Sequence, residues 1–216
     1  MVGNYGVPDR KVIDQHGLPK YFESNRIHPK ALLVQDYSHH YSHWNAVSSL
    51  GDWLKEEGVP GVSGLDTRAL TKRIRSKGAL RGVIEIDPNA PAPDFSKVQN
   101  PNERHLVSEV STKEVKVFGK GNPVKVLAVD CGIKANIIRE ICKRGAELTL
   151  VPYDYPFAEE LQNFDGLFLS NGPGDPTMLM DTTVAQLKQV INCPPELVKV
   201  SYQMCNNVQK SFFDRN

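Results

Sequence analysis

The chain has few cysteines and no pairs of them, which limits the sites it can form. Cys131, Cys142, Cys193 and Cys205 all lie in the second half of the 216 residues, and none belongs to a CxxC pair. A disulfide framework or a structural zinc site needs tighter, paired spacing. We therefore expect a reducing compartment, no metal site, and Cys131 and Cys142 as plain core thiols.

An excess of one charge and a long apolar run are also missing. The 26 Lys and Arg residues nearly balance 25 Asp and Glu residues, so the net charge of +1 gives no electrostatic reason to expect nucleic acid or a membrane surface as partner. Nothing approaches the roughly 18 consecutive apolar residues of a transmembrane helix. The opening residues 1–8 resemble neither a signal peptide nor a transit segment, and we expect them to come from the middle of a domain.

The first half of the chain predicts a small α+β domain. Apolar β-type residues favour strands over 31–37 and 79–86. A helix is predicted over 42–57 from an apolar stripe formed by Trp44, Val47, Leu50, Trp53 and Leu54. Asp66 and Gly78 have the positions of the N-cap and C-cap of a second helix. The proline-rich stretch 87–104 predicts an irregular excursion.

The second half alternates strands and helices. Strands are predicted over 124–129, 147–152 and 166–169, and helices over 133–144 and 181–191. This order is typical of the first part of a doubly wound α/β sheet. We therefore predict one domain over 1–119, an incomplete second domain over 124–199, and a tail over 200–216.

The most informative motif follows the strand at 166–169. It reads Ser-Asn-Gly-Pro-Gly-Asp-Pro over 170–176, with Gly172 and Gly174 on either side of Pro173. Glycines let backbone amides approach a ligand closely, and the proline stiffens the turn. A loop at the carboxyl end of a parallel strand lies where open α/β sheets bind ligands, and its amides could form half of an oxyanion hole. An ordinary tight turn is the alternative.

The motif resembles the corresponding loop of class I glutamine amidotransferases, in the form used by the carbamoyl-phosphate synthetase small subunit. Further stretches are similar to the same family and follow its order, namely 3–6, 36–38, 43–44, 64–71, 126–134, 143–147 and 151–152. The resemblance covers about residues 1–199. It looks closest to the animal urea-cycle type, in which glutaminase and synthetase are fused.

The resemblance implies a function for the intact enzyme. Gly172 and Gly174 match glycines that bind glutamine and line the oxyanion site. A cysteine, with a histidine base oriented by a glutamate, releases ammonia from glutamine, and a synthetase portion that uses ATP and Mg²⁺ combines the ammonia with bicarbonate. The expected partners are glutamine and that synthetase portion, fused or separate, with no cofactor in this chain itself. The urea-cycle likeness implies a mitochondrial location, with the cytoplasm as the alternative.

The chain departs from this pattern at the nucleophile. The family's Gly-x-Cys-x-Gly elbow corresponds to Gln203-Met204-Cys205-Asn206-Asn207, which lacks both glycines. All six histidines precede residue 106, so none follows Cys205 as a base. A thiol without a base is a poor nucleophile at neutral pH. We expect a fragment, cut at both ends relative to the family, that does not hydrolyse glutamine alone.

Two other interpretations stay open. The chain could be a non-catalytic docking or regulatory piece that binds a synthetase partner through its first domain. It could also be a flavodoxin-like nucleotide-binding domain, although the turn 130–133 lacks a GxGxxG or GxxxxGK[ST] phosphate cradle. We interpret the motif His39-His40-x-x-His43 as a solvated turn and the basic run over 68–77 as the wet face of a helix.

Overall fold

A computed structural model describes residues 1–78, 80–85, 87, 89 and 91–191. The chain divides into two compact units, of which the first is Met1–Val98 and the second begins at Gln99. This division lies earlier than the boundary predicted at 119–124. The reason is that residues after 98 already belong to the second unit: Val107 lies in its core, and Lys116–Phe118 pairs with its sheet.

The first unit contains short elements. Its strands are β1 (Val7–Pro8), β2 (Leu32–Leu33), β3 (Ala46–Ser48) and β4 (Gly61–Val62), and its helices are α1 (Leu50–Glu56) and α2 (Thr67–Lys77). Strand β1 pairs antiparallel with β3, and β2 pairs parallel with β4. The strand predicted over 31–37 is therefore present but shorter.

The helix predicted over 42–57 is only half right. Residues 46–48 form β3, and the helix begins after Ser49, whose hydroxyl accepts a hydrogen bond from the Asp52 amide while the Asp52 carboxylate accepts one from the Ser49 amide. This capping box fixes the start of α1. Trp44 is 86% exposed, so the predicted stripe does not continue to its side chain.

The second predicted helix is confirmed. The Asp66 carboxylate accepts a hydrogen bond from the Ala69 amide at 2.9 Å, and Gly78 ends the helix with a φ of +79°. None of the helix's residues is buried. The strand predicted over 79–86 is wrong for residues 80–85, which are exposed and pair with no other strand, because a strand requires a neighbour. Residues 79 and 86 lie outside the described residues.

The second unit is built on a four-stranded sheet. Its strands are β5 (Lys116–Phe118), β6 (Val124–Asp130), β7 (Ala146–Pro152) and β8 (Gly166–Leu169), in the order β5-β7-β6-β8. Strand β6 pairs in parallel with both β7 and β8, whereas β5 pairs antiparallel with β7. Leu127, Ala128 and Val129 are fully buried, as expected for a central parallel strand. The predicted fold class is confirmed.

Up to residue 191, where the described part of the second unit ends, three helices accompany this sheet: α3 (Leu106–Val110), α4 (Ala135–Lys143) and α5 (Ala185–Ile191). A π-helical turn, Met180–Val184, leads into α5, so the helix predicted over 181–191 is confirmed with an irregular start. The main core joins α3, α5 and one face of the sheet through Val107, Leu127, Val129, Cys131, Val151, Phe157, Leu161, Leu167, Leu179, Val184, Leu187 and Val190. Helix α4 contacts β7 with residues outside this cluster.

Candidate functional site

The candidate site is the loop over residues 170–176, which follows β8. Because β6 and β8 are adjacent and parallel, this loop lies beside the turn over 130–134 that follows β6. Residues 171–175 are all exposed, whereas Ser170 and Asp130 at the ends of the strands are buried, each 5% exposed. The loop backbone is thus exposed, while the polar side chains at the ends of the two strands are buried.

Gly172 is required by a close approach of two backbones. A Cβ at this position would overlap the carbonyl oxygen of Cys131 and lie 2.9 Å from the Cys131 Cβ. Backbone and Cβ atoms of a buried residue cannot move aside as the end of a flexible side chain can. No residue with a side chain therefore fits at position 172 without displacing the loop from the turn.

Gly174 is required for a different reason. Its φ is +84°, a left-handed conformation that costs other residues about 1–2 kcal/mol, while the nearest atom to an added methyl group, the Cβ of Leu106, would be 3.6 Å away. Within the part of the chain that the structure describes, no group accepts a hydrogen bond from the amides of Gly172 or Gly174. Both N–H groups are therefore available to a ligand oxygen.

Ser170 connects the loop to the neighbouring turn. Its hydroxyl accepts a hydrogen bond from the Cys131 amide at 2.8 Å and donates one to the carbonyl oxygen of Asn171 at 3.1 Å. The backbone amide of Ser170 also donates to the carbonyl of Val129 at 3.2 Å. These bonds extend the β6–β8 pairing into the loop and fix the position of the backbone that leads to Gly172.

Asp130 organises the turn after β6. Its carboxylate accepts hydrogen bonds from the amides of Gly132 at 2.9 Å, Ile133 at 2.8 Å and Thr112 at 2.8 Å. A phosphate-binding turn would need such amides free, and a carboxylate would repel a phosphate. The flavodoxin-like interpretation therefore fails at this turn. Sequence reasoning missed the role of Asp130, although a carboxylate at the end of a buried strand was the available signal.

Cys131 is buried and does not supply a nucleophile. Burial and, to a smaller extent, the charge of Asp130 raise the pKa of its thiol to about 12, although a hydrogen bond with Thr183 acts in the opposite direction. The thiol therefore stays protonated at neutral pH, and thiols react as thiolates. Cys142 is buried as well, so both cysteines are the core thiols predicted. Cys205 lies outside the described residues.

The histidines are divided between the two units. Only His105 belongs to the second unit, where its ring centroid lies 5.0 Å from that of Tyr153 and its Nδ1 accepts a hydrogen bond from the Ser108 amide at 3.2 Å. In the first unit His39 and His43 are exposed and lie against aromatic rings, His39 on Tyr37 and His43 beside Tyr5 and Trp44.

The exit from the loop is an N-cap. The Asp175 carboxylate accepts a hydrogen bond from the Thr177 amide at 2.9 Å, and this bond lowers the pKa of Asp175. Asp175 is exposed and negatively charged at neutral pH. Together with Pro176 at the first position of the short helical turn, it fixes where that turn begins.

Comparison with known proteins gives the class first. Residues 127–197 match the family described as glutamine amidotransferase class-I, in agreement with the parallel sheet and the glycine loop. Residues 1–84 match the family described as carbamoyl-phosphate synthase small chain, CPSase domain. Over these two stretches the chain is homologous to carbamoyl-phosphate synthase small chains.

Individual relatives are similar over most of this chain. It is 52% identical over 191 residues to carbamoyl-phosphate synthase [ammonia], mitochondrial, of Aquarana catesbeiana, covering 88% of this chain and 12% of that protein. It is 49% identical over 192 residues to multifunctional protein CAD of Squalus acanthias, covering 89% and 8%. It is 44% identical over 197 residues to the arginine-specific small chain of Eremothecium gossypii, covering 90% and 49%. The chain thus spans about half the length of the arginine-specific small chain and about a tenth of the length of the other two relatives.

None of the helices in the described ranges is both long and apolar enough to cross a membrane.

Proposed function

We propose that this chain is part of the glutamine-hydrolysing region of a carbamoyl-phosphate synthase, and that its loop 170–176 holds glutamine. The observation that carries the proposal is the pair of unengaged amides at Gly172 and Gly174, on a loop fixed by Ser170 and by the packing of Gly172 against Cys131. Fixed N–H donors stabilise the oxyanion that forms when a nucleophile attacks an amide carbonyl.

In the intact enzyme the reaction would also need a thiolate and a proton acceptor. The Cys131 thiol stays protonated because its pKa is raised, so it is not the thiolate. The Nδ1 of His105 already accepts a hydrogen bond from the Ser108 amide, so it is not the proton acceptor. We propose that the isolated chain binds glutamine without hydrolysing it. The ammonia would pass to a synthetase portion, fused or separate, that holds ATP and Mg²⁺ and joins ammonia to bicarbonate.

Glutamine titration of the isotope-labelled full chain tests the binding. The amide resonances of Gly172 and Gly174 should shift on addition of glutamine and stay unchanged on addition of glutamate or leucine. Gly174→Ala should weaken binding about tenfold, because the methyl group strains the left-handed backbone that presents the amide.

Gly145→Ala is the matched control. Gly145 has the same φ of +84°, and no described atom lies within 4 Å of its Cβ position. Both variants should lose about 1 kcal/mol of stability, but only Gly174→Ala should lose glutamine affinity. Equal affinities in the two variants, or no shift of the glycine resonances in the wild-type chain, would contradict the proposal.

An ammonia-release assay tests the inactivity. We expect no glutaminase activity from the purified chain and the same background from Cys205→Ser. Turnover that Cys205→Ser abolishes would show that the tail supplies a working nucleophile despite its missing glycines.

A docking role is a second candidate, and helix α2 favours it. Its five cations, Arg68, Lys72, Arg73, Arg75 and Lys77, occur without an acidic residue, and no described residue forms an ion pair with any of them. A pull-down with the synthetase portion should lose the complex when Arg68, Lys72 and Arg75 are changed to Glu. Retention of the complex after this charge reversal would exclude α2 as the docking surface.

We also propose a mitochondrial location, supported by the 52% identity to a relative whose name includes mitochondrial. The 49% identity to a multifunctional protein CAD makes the cytoplasm the alternative. Antibody detection in fractionated cells that express the native gene distinguishes the two compartments.

A further inference from the structure

Residues 105–112, which we name the strap, contact the carboxyl ends of two of the three parallel strands, β6 and β7. At the end of β6 the Thr112 amide donates to the Asp130 carboxylate at 2.8 Å. At the end of β7 the Tyr153 amide donates to the Ser111 hydroxyl at 3.1 Å, and the ring of His105 lies beside that of Tyr153. The strap therefore borders the edge of the sheet from which the candidate loop projects.

The strap also supports both glycine-containing segments of the site. A methyl group at Gly132 would lie 3.3 Å from Cγ2 of Val110, and one at Gly174 would lie 3.6 Å from both Cβ and Cδ1 of Leu106. Between them, Val107 is 6% exposed and belongs to the main core. Val107 thus anchors the strap, while Leu106 and Val110 face the backbones of the loop and the turn.

We propose that Leu106 is a positioning residue, which holds the Gly174 end of the loop so that its amides point at the bound ligand. This inference rests on the proposed function, because the ligand is the glutamine assigned to the loop. Leu106 itself donates nothing to the ligand; it acts through the backbone at Gly174.

The distribution of contacts explains why the loop needs this support. Ser170 and the Gly172–Cys131 packing hold the beginning of the loop, and the Asp175–Thr177 hydrogen bond fixes its exit. The backbone of Gly174 lies between them and, among described residues, has no hydrogen-bond partner for its amide. The Leu106 side chain is the apolar wall beside it. Binding groups must be held within about 0.5 Å to act together, so a missing wall should loosen the donor.

The test uses the full chain with Leu106→Ala, Leu106→Met and Leu161→Ala. Leu161 is 3% exposed in the core cluster that also contains Val107, so Leu161→Ala removes the same side-chain atoms as Leu106→Ala but at a core position. The measurements are the ¹⁵N order parameters of Gly172 and Gly174, the glutamine Kd, and the melting temperature.

We expect Leu106→Ala to lower the order parameter of Gly174 and to raise the glutamine Kd about tenfold, with Leu106→Met within about twofold of the wild type. Leu161→Ala should lower the melting temperature and leave the Kd and both order parameters unchanged. Wild-type order parameters in a folded Leu106→Ala variant would overturn the inference. If the wild-type chain binds no glutamine, the proposed function fails, and the order parameters still decide whether Leu106 holds the loop.

Discussion

Gly172 and Gly174 show that two glycines of one motif can be required by different forces. Gly172 has no room for a side chain because Cys131 occupies the space, whereas Gly174 has room but a φ of +84°. The sequence identified both positions as the candidate site, since glycines flanking a proline after a buried strand are a local signal. Why glycine is required at position 172 was not predictable from the sequence, because the contact with Cys131 joins residues 41 positions apart.

At the residue scale, Cys131 gives a prediction about pH. Its thiol has a pKa of about 12 in the folded chain, against 9.0 as the ordinary value, because of burial and then the charge of Asp130. Both states are protonated below pH 9, so stability is unaffected there. Between pH 9 and about 12 only the unfolded chain loses the proton, and stability falls with rising pH.

The measurement is urea unfolding of the wild type and Cys131→Ala at pH 8 and pH 10. The stability of the wild type relative to Cys131→Ala should fall by about 1.4 kcal/mol between these values, because each pH unit above the unfolded pKa contributes about that much. The variant removes the thiol, so titration of tyrosines and lysines cancels in the comparison. A constant difference would mean that the folded thiol titrates normally.

At the element scale, predictability follows from how local the determining signals are. Helix α2 was predicted at both ends because Asp66 and Gly78 act on residues one turn away. The helix over 42–57 was wrong in its first half because residues 46–48 pair with Val7–Pro8, a partner distant in sequence. The role of the strap was missed for the same reason, since it depends on contacts with the ends of β6 and β7 and with the loop after β8, which all follow it in the chain.

Helix α2 allows a test of whether local capping residues determine a helix. Because none of its residues is buried, its caps should contribute a larger share of its stability than in a helix that packs on a core. Asp66→Ala removes the acceptor for the Ala69 amide and should cost about 1 kcal/mol of local stability, whereas Asp66→Asn should cost little, since asparagine caps as well as aspartate. Amide hydrogen exchange over residues 70–77 measures the difference. Equal exchange in the two variants would show that the cap does not control the helix.

At the scale of the whole molecule, the apolar core is distributed unequally between the two units. Among the described residues of the first unit, the buried apolar side chains are those of Val7, Val34 and Leu54. The second unit has a contiguous cluster that joins its sheet to α3 and α5. Since burial of apolar surface is the main favourable term in folding, the first unit should be the less stable.

This difference can be measured because both tryptophans of the chain, Trp44 and Trp53, lie in the first unit. Trp53 packs edge-on against Phe22 with Arg10 over its ring, so its emission reports the folding of that unit. In a urea titration the tryptophan signal should change first. Deuterium uptake by peptides from β6 and β7, which lie in the second unit, should rise at higher urea.

Asp130→Ala provides the converse perturbation. It leaves the part-buried amides of Thr112, Gly132 and Ile133 without their acceptor, at a cost of about 3 kcal/mol for the second unit. The deuterium-uptake midpoint of β6 and β7 should therefore move to lower urea, while the tryptophan midpoint stays where it is. Coincident midpoints in the wild type, or a shift of both signals in Asp130→Ala, would mean that the two units unfold as one cooperative body and that the small core of the first is stabilised by the second.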